Sequence, residues 1–283
     1  MLVCPTKEEI RALAAGYRRA RRSIALVPTM GYLHDGHLAL VEEAKRRAEK
    51  VIVSIFVNPT QFGPNEDFST YPRDTDRDLA LLRELDVDGV FLPDAQEMYG
   101  ENGGTYVDVP ELSGILQGAL RPGHFRGVAT VVTKLFNVVQ PDVAVFGEKD
   151  YQQLTLIRQM VRDLDMPVEI VAHRTVREPD GLAMSSRNVR LTTGERSGAP
   201  VLSRSLDAAR QAAADGKTVS QIKAVIESVL RTASLGKVET IDIRDAETLG
   251  EADELLERPA VILLAVRFGT VLLIDQAVIQ AAG

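Results

Sequence analysis

Residues 23–57 read SIALVPTMGYLHDGHLALVEEAKRRAEKVIVSIFV. Ser23 to Pro28 and Val51 to Val57 are short, apolar, largely β-branched runs, the composition of strands buried on both faces. Between them Val41, Ala44 and Ala48 recur at helical spacing, so the stretch reads as strand, loop, helix, strand. Such a crossover joins parallel strands, and it sets the fold class. Outward from it the order repeats: a helix from Asp74 to Leu85, the strand GVFLP at Gly89 to Pro93, a helix around Val128 to Val139 and the strand DVAVF at Asp142 to Phe146. A helix from Tyr151 to Leu164 and the strand PVEIV at Pro167 to Val171 follow. The expectation is an α/β architecture, a Rossmann-like doubly wound parallel sheet whose ligands bind beyond the carboxyl ends of its strands.

After His173 the texture changes. Val176 to Thr193, VREPDGLAMSSRNVRLTT, is polar and reads as a junction. Two capping-box starts, Thr192 with Glu195 and Thr218 with Gln221, then open Ala-rich helical stretches. VETIDIR (Val238 to Arg244), AVILLAVRF (Ala260 to Phe268) and TVLLIDQAV (Thr270 to Val278) read as strands, the last two joined tightly at Gly269. Two domains are therefore expected: residues 1–175, and a smaller C-terminal α+β domain, residues 176–283, carrying the loop around Ser185.

Composition narrows the function classes. The chain has 283 residues, 33 basic against 40 acidic, and 45% hydrophobic content, which excludes a disordered chain, a disulfide scaffold and a fibre. With Cys4 as the sole cysteine, neither an intramolecular disulfide nor a Cys-rich metal site can form, which fits a cytoplasmic setting. The N-terminal residues lack the apolar core of a signal peptide, and no run of about 18 apolar residues occurs, so no membrane partner is expected. Both parts of the chain are mildly acidic, which argues against nucleic acid as a partner. The basic cluster Arg18, Arg19, Arg21 and Arg22 reads as the end of a first helix, where cations are favoured.

The stretch PTMGYLHDGHLAL (Pro28 to Leu40) places Gly31, His34, Gly36 and His37 between the first strand and its helix. Glycines let backbone approach an anion closely there, and the positive end of the helix dipole faces it. Two imidazoles three residues apart can both reach one polyphosphate and stabilise charge growing on a leaving pyrophosphate. A helix cap or half of a metal site are the other readings, although no nearby carboxylate or thiolate completes a familiar ligand spacing. Neither G-x-x-x-x-G-K-[ST] nor G-x-G-x-x-G occurs, against a P-loop enzyme or a dinucleotide dehydrogenase.

Three further clusters follow strands or the junction. FVNPTQF (Phe56 to Phe62) carries Asn58 and Gln61, either a plain Asn-Pro turn or a pair of amides for a small hydroxy acid. FGEKDYQQL (Phe146 to Leu154) offers Lys149 to phosphates, Asp150 to a hydroxyl or metal-bound water, and Gln153 one turn later, unless these are solvated charges at a helix start. AMSSRN (Ala183 to Asn188) joins Ser185, Ser186 and Arg187 in what reads as a mobile phosphate clamp or an interdomain linker. GALRPGHFRGVAT (Gly118 to Thr130), with Arg121, His124 and Arg126, reads as a movable cover, and Asp78 could face the site.

In this order and spacing PTMGYLHDGH, FVNPTQF, YPRD, RPGHFRGVATVV, FGEKDYQQL and DGLAMSSRN closely resemble the pantoate–β-alanine ligase family, across essentially the whole chain. HDGH alone would indicate only the wider nucleotidyltransferase superfamily with its HIGH-type signature. The resemblance implies a ligase in pantothenate biosynthesis that joins (R)-pantoate to β-alanine with ATP, through a pantoyl adenylate, releasing pyrophosphate and AMP. It assigns Met30, Gly31, Tyr32, Leu33, His34, Asp35, Gly36 and His37 to one wall of the ATP site, with His37 and His34 on the departing pyrophosphate. Gly147, Glu148, Lys149 and Asp150 are assigned to the nucleotide, Val176 to adenine through its backbone, and Met184, Ser185, Ser186 and Arg187 to the phosphates. His37, His34, Lys149, Ser185, Ser186 and Arg187 form the implied catalytic set. Gln61 and Gln153 are assigned to pantoate, and Gln61 also to β-alanine. Mg²⁺ is expected with ATP and no protein metal ligand is assigned, because Arg77 stands where some relatives carry an acid. MSSR lacks the lysine of the superfamily's KMSKS-type loop, with Arg187 able to supply the charge. A homodimer is implied. Another nucleotidyl transferase of the same fold and a nucleotide sensor are the rival readings.

Overall fold

The computed structural model describes residues 1–64, 66–101 and 103–280, so the last three residues of the expected second domain lie outside the described residues. Two compact units are present, Met1–Gly147 with Leu156–His173, and Glu148–Thr155 with Arg174–Gly283.

The first unit runs β1 (Leu2–Cys4), α1 (Lys7–Arg19), β2 (Ile24–Thr29), α2 (Asp35–Arg47), β3 (Lys50–Ile55), α3 (Thr75–Glu84) and β4 (Gly89–Phe91). Three short helices follow, α4 (Ala95–Tyr99), α5 (Pro110–Ser113) and α6 (Gln117–Leu120), then α7 (His124–Val139), β5 (Val143–Gly147), α8 (Tyr151–Asp163), which belongs to this unit from Leu156 onward, and β6 (Glu169–His173). All six strands are parallel, in the order β1-β4-β3-β2-β5-β6. The chain leaves β2 in one direction to make β3 and β4 and in the other to make β5 and β6, so the strand order reverses between β2 and β5. Loops from the carboxyl ends of those two strands splay apart at such a reversal and leave a crevice.

The sequence explains why β2 is central. Ile24, Ala25, Leu26 and Val27 are all fully buried, as expected of a strand covered on both faces. Asp142 fastens β5 to it at the other end, its carboxylate accepting the Ile24 amide at 2.7 Å while its own amide donates to the Ile24 carbonyl at 2.9 Å. Arg18 donates to the Val139 carbonyl at 2.8 Å and so caps the end of α7, while Arg22 pairs with Glu49. Of the basic cluster, Arg18 thus caps a helix and Arg22 forms an ion pair.

The second unit contains α9 (Thr193–Gly198), α10 (Val201–Ala214), α11 (Val219–Leu230), β7 (Gly236–Asp245), β8 (Ala260–Phe268) and β9 (Val271–Ile279). Its strands form an antiparallel sheet in the order β7-β8-β9. Leu202, Leu206, Ile222, Ile226, Ile262, Leu264 and Phe268 pack its core. Thr192 with Glu195 and Thr218 with Gln221 both form reciprocal capping boxes. Gly269, at φ 55°, makes the left-handed step between β8 and β9.

The division differs from a cut at residue 175. Glu148–Thr155 groups with the second unit, because the single 3-10 turn Glu148–Asp150 packs on β9 and the Tyr151 hydroxyl donates to the Ala246 carbonyl at 2.8 Å. Gln276 likewise donates to the Thr175 hydroxyl at 3.4 Å.

Candidate active site

The loop between β2 and α2 is folded by a buried carboxylate. Gly31 and Tyr32 adopt positive φ, 79° and 51°, a turn that few residues but glycine take without strain. Both oxygens of Asp78, on α3, accept backbone hydrogens from this turn, from Tyr32 and from Leu33, each at 2.7 Å. A Cβ on Gly31 would come within 2.9 Å of Ile55 and 3.0 Å of the Asp78 carboxylate, so only glycine fits the first position. Arg77 donates to the Leu33 carbonyl at 2.9 Å, with its guanidinium 4.0 Å from Asp78. Burial pushes the Asp78 carboxyl above the usual carboxylate range, and the two amides and Arg77 offset only part of that. Asp78 therefore shapes the loop from behind, where the sequence left it as a side chain that could face the site.

His34 is the N-cap of α2 and His37 its third residue. The His34 amide donates to His37 Nδ1 at 3.3 Å, an imidazole standing where a capping box places Glu or Gln. The two rings lie 4.0 Å apart between centroids, tilted by 36°, and both are half-buried. A neutral His37 that accepts at Nδ1 carries its hydrogen on Nε2, so it can donate without being an imidazolium. Asp35 and Gly36, in the first turn of the helix, present amides with no partner further up the helix.

Gln61 is set by a different device. Asn58, fully buried, opens the 3-10 turn Pro59–Gln61 and accepts on its Oδ1 from the Thr60 amide at 3.3 Å, the Thr60 hydroxyl at 2.9 Å and the Tyr99 hydroxyl at 2.7 Å. Its Nδ2 donates to Gln61 Oε1 at 3.1 Å and to the Gly127 carbonyl at 3.2 Å. Asn58 is thus a structural holder, the turn alternative of the sequence reading. Gln61 is left with its NH2 group at Met30 Sδ, 3.3 Å away, which brings the FVNPTQF and PTMGYLHDGH motifs together.

Residues 118–130 depart from the expected movable cover. Leu120 ends α6, and from His124 onward the segment is the start of α7, with Phe125, Gly127, Val128, Ala129 and Thr130 buried. A Cβ on Gly127 would fall 2.5 Å from the Thr60 carbonyl oxygen, so the glycine lets the helix meet the Pro59–Gln61 turn backbone to backbone. His124 Nδ1 donates to the Gln61 carbonyl at 2.8 Å, Arg121 lies 3.2 Å from its Nε2, and Arg121 pairs with Glu66. Burial raises the Glu66 carboxyl, but hydrogen bonding and charge from Arg121 outweigh it and hold the group below its usual range.

Gly147 ends β5, and a Cβ there would meet nothing within 4 Å. In the second unit Glu148, Lys149 and Asp150 form the 3-10 turn, with Lys149 Nζ 3.9 Å from Asp150, and half-buried Gln153 follows on α8. Val176 to Met184 is a tight hairpin, not a linker: Met184 donates to the Val176 carbonyl at 3.0 Å and Glu178 to the Leu182 carbonyl at 2.8 Å. Arg177 staples this hairpin to β9 through two hydrogen bonds to buried Asp275, at 2.7 and 2.9 Å. The Ser185 hydroxyl accepts the Arg187 amide at 3.2 Å, and Ser186 is buried. The structure therefore brings Met30 to His37 together with Gln61 in one unit, and Lys149, Val176 and Met184 to Arg187 belong to the other. Among the described residues no group of three or more His, Cys, Asp or Glu could hold a metal ion, and no helix is long and apolar enough to cross a membrane.

The family model for pantoate-beta-alanine ligase matches residues 2–278. The chain belongs to the pantoate–β-alanine ligase family. A pantothenate synthetase of Chloroflexus aurantiacus is 54% identical over 273 residues, covering 95% of this chain and 97% of its own. That of Rhizobium meliloti is 52% identical over 280 residues, covering 99% and 96%. Among solved structures, pantothenate synthetase from Thermus thermophilus aligns with a TM-score of 0.93 at 48% identity, over 98% of this chain and 99% of that one. A pantoate-beta-alanine ligase from Francisella tularensis, complexed with beta-gamma ATP and beta-alanine, aligns with a TM-score of 0.81 at 34% identity, over 98% and 97%. The parallel six-stranded sheet and the small antiparallel sheet are thus the architecture of this ligase family.

Proposed function

We propose that this chain joins (R)-pantoate to β-alanine at the expense of ATP, through a pantoyl adenylate. The observation that carries this reading is the pairing in one loop system of two imidazoles at the head of α2 with the Gln61 amide against Met30. A pantoate carboxylate oxygen attacks the α-phosphorus of ATP, the bond from that phosphorus to the bridging oxygen breaks, and pyrophosphate leaves with the electron pair. The Nε2 hydrogen of His37 and the first-turn amides of α2 stabilise that growing charge, more in the transition state than in the ground state. Gln61, with Gln153, binds pantoate, and Gln61 also helps place β-alanine, whose amine then attacks the acyl carbon and expels AMP. We assign Gly147 to Asp150 and Val176 to the nucleotide, and Met184 to Arg187, with Lys149, to its phosphates.

Mg²⁺ would come with ATP as its counter-ion and would supply charge neutralisation at the phosphate oxygens. Both oxygens of Asp78 are engaged by the loop amides and Arg77 lies beside it, so the fit is to an ion held by phosphate, with few protein ligands. The family reading also carries a homodimer and a cytoplasmic location, which sedimentation and cell fractionation test.

The deciding experiment supplies ATP, Mg²⁺, pantoate and β-alanine to the purified protein. AMP and pantothenate are expected in equal amounts, with pantoate-dependent exchange of labelled pyrophosphate into ATP that needs no β-alanine. ADP formation, or exchange without pantoate, rejects the reading.

A further inference from the structure

We propose that Tyr99 is a positioning residue of the pantoate site, acting through Asn58 to hold the Gln61 amide with its NH2 group toward the acid. The proposal rests on Gln61 as the pantoate ligand and goes beyond it by naming what decides which end of that amide the substrate meets.

The argument is an account of donors and acceptors. A primary amide has two nearly isosteric ends, one accepting and one donating, and an amide free to turn over presents either. Three donors converge on Asn58 Oδ1: the Tyr99 hydroxyl at 2.7 Å, the Thr60 hydroxyl at 2.9 Å and the Thr60 amide at 3.3 Å. The short contact is the phenol. With that end of Asn58 fixed, its Nδ2 faces Gln61 and the Gly127 carbonyl, and only the Oε1 of Gln61 can accept it. Gln61 Nε2 is thereby turned outward to Met30. An outward NH2 group suits a substrate whose recognised atoms are carboxylate and hydroxyl oxygens, whereas an outward carbonyl would set like dipoles against them.

Tyr99 is placed for this task. It sits at the end of α4, its ring against Phe56 with centroids 6.3 Å apart and Lys134 Nζ over it at 5.4 Å. Burial raises its phenol above the ordinary range, with Thr60 and Asn58 offsetting part of this, so the group remains a donor at neutral pH. Nothing in α4 or its flanks, PDAQEMYGE, marks the tyrosine as part of a site.

The test is a cycle of Tyr99→Phe, Gln61→Ala and the double variant, read as kcat and as KM for pantoate, ATP and β-alanine, with thermal midpoints as a control. Tyr99→Phe keeps the ring and its packing and removes only the hydroxyl. We expect Gln61→Ala to raise the pantoate KM, and Tyr99→Phe to raise it about fivefold, the fold-change of one net hydrogen bond, with the ATP KM unchanged. In the Gln61→Ala background Tyr99→Phe should add nothing, because its effect runs through Gln61. Asn58→Asp, which cannot donate to Gln61, should turn the amide over and raise the pantoate KM as far as Gln61→Ala does; should that variant not fold, the cycle alone decides. If Gln61→Ala raises the pantoate KM but Tyr99→Phe does not, or acts in full without Gln61, the positioning role is overturned and the ligase reading stands. If Gln61→Ala leaves the pantoate KM unchanged, the assignment of Gln61 falls, and the role of Tyr99 with it.

Discussion

Asp78 and Tyr32 are joined by a 2.7 Å hydrogen bond from the Tyr32 amide to a buried carboxylate, and Leu33 donates to the other oxygen at the same distance. Tyr32 sits at φ 51°, a conformation that costs a side-chain-bearing residue about 1–2 kcal/mol. Two charge-assisted hydrogen bonds, each worth about 1.5–3 kcal/mol, are enough to hold it there. The loop that presents the imidazoles is therefore hung from α3.

Asp78→Asn keeps the shape but leaves one of the two amides facing an NH2 group. A loss of about 1–3 kcal/mol in urea unfolding is expected, with a fall in pyrophosphate exchange. Exchange at the native rate would mean that the loop holds its shape without the carboxylate.

His37→Ala should slow adenylation by about 2–4 kcal/mol in barrier while ATP binding weakens little. His37→Gln, whose amide reaches roughly where Nε2–H lies, should recover part of the loss. Rapid-quench measurement of pyrophosphate release from ATP and pantoate without β-alanine, and equilibrium binding of ATP, separate the two effects, and equal losses in both would make His37 a uniform binding residue.

Gly127→Ala puts a methyl 2.5 Å from the Thr60 carbonyl, a backbone atom that cannot swing aside. Helix or turn must shift, at a cost of about 1–3 kcal/mol in thermal unfolding. Since the same turn carries Gln61, the pantoate KM should rise; an unchanged KM would show that the shift is absorbed elsewhere.

In the second unit, Asp275→Ala strands the Arg177 guanidinium without its bidentate partner and should cost about 3–5 kcal/mol by urea unfolding. Arg177→Met together with Asp275→Leu removes both charges and should cost far less. Equal losses would indicate that packing, not the uncompensated charge, matters.

Asp245 is held below the usual carboxylate range chiefly by the Thr248 amide, with further help from the Thr248 hydroxyl, the Glu247 amide and Arg258, against the opposing effect of burial. A depressed folded value means that its stabilisation is present above the unfolded value, about 3.9, and is lost as pH falls through the folded one. Urea melts at descending pH should show this loss, and Asp245→Asn should flatten the curve below about pH 4.

The β2-loop-α2-β3 unit was legible because a buried strand and an amphipathic helix have different periods, and the boxes at Thr192 and Thr218 because capping chemistry is local. β1 was not legible. Its three residues become a strand only by pairing with Gly89–Phe91, a partner distant in sequence. The start of α7 was hidden by Arg-Pro-Gly-His, which has loop composition, yet Gly123 at φ 85° simply opens the helix. Asn58 and Asp78 looked like groups available to ligand because sequence shows which side chains are polar and not which backbone amides they face. The placing of Gly127 depended on a close approach across the fold, which no local pattern encodes.

The parallel pairing of Leu2 with Gly89 also constrains when the chain can fold. On the ribosome Leu2–Cys4 has no β4 to dock on until Gly89–Phe91 emerges, several seconds later at roughly 5–20 residues per second. β2 and β3 are meanwhile complete and adjacent in order, so the sheet can grow outward from its middle and take up β1 as an edge. Slowing translation just before Gly89 should prolong exposure of that edge without disturbing the β2–β3 nucleus.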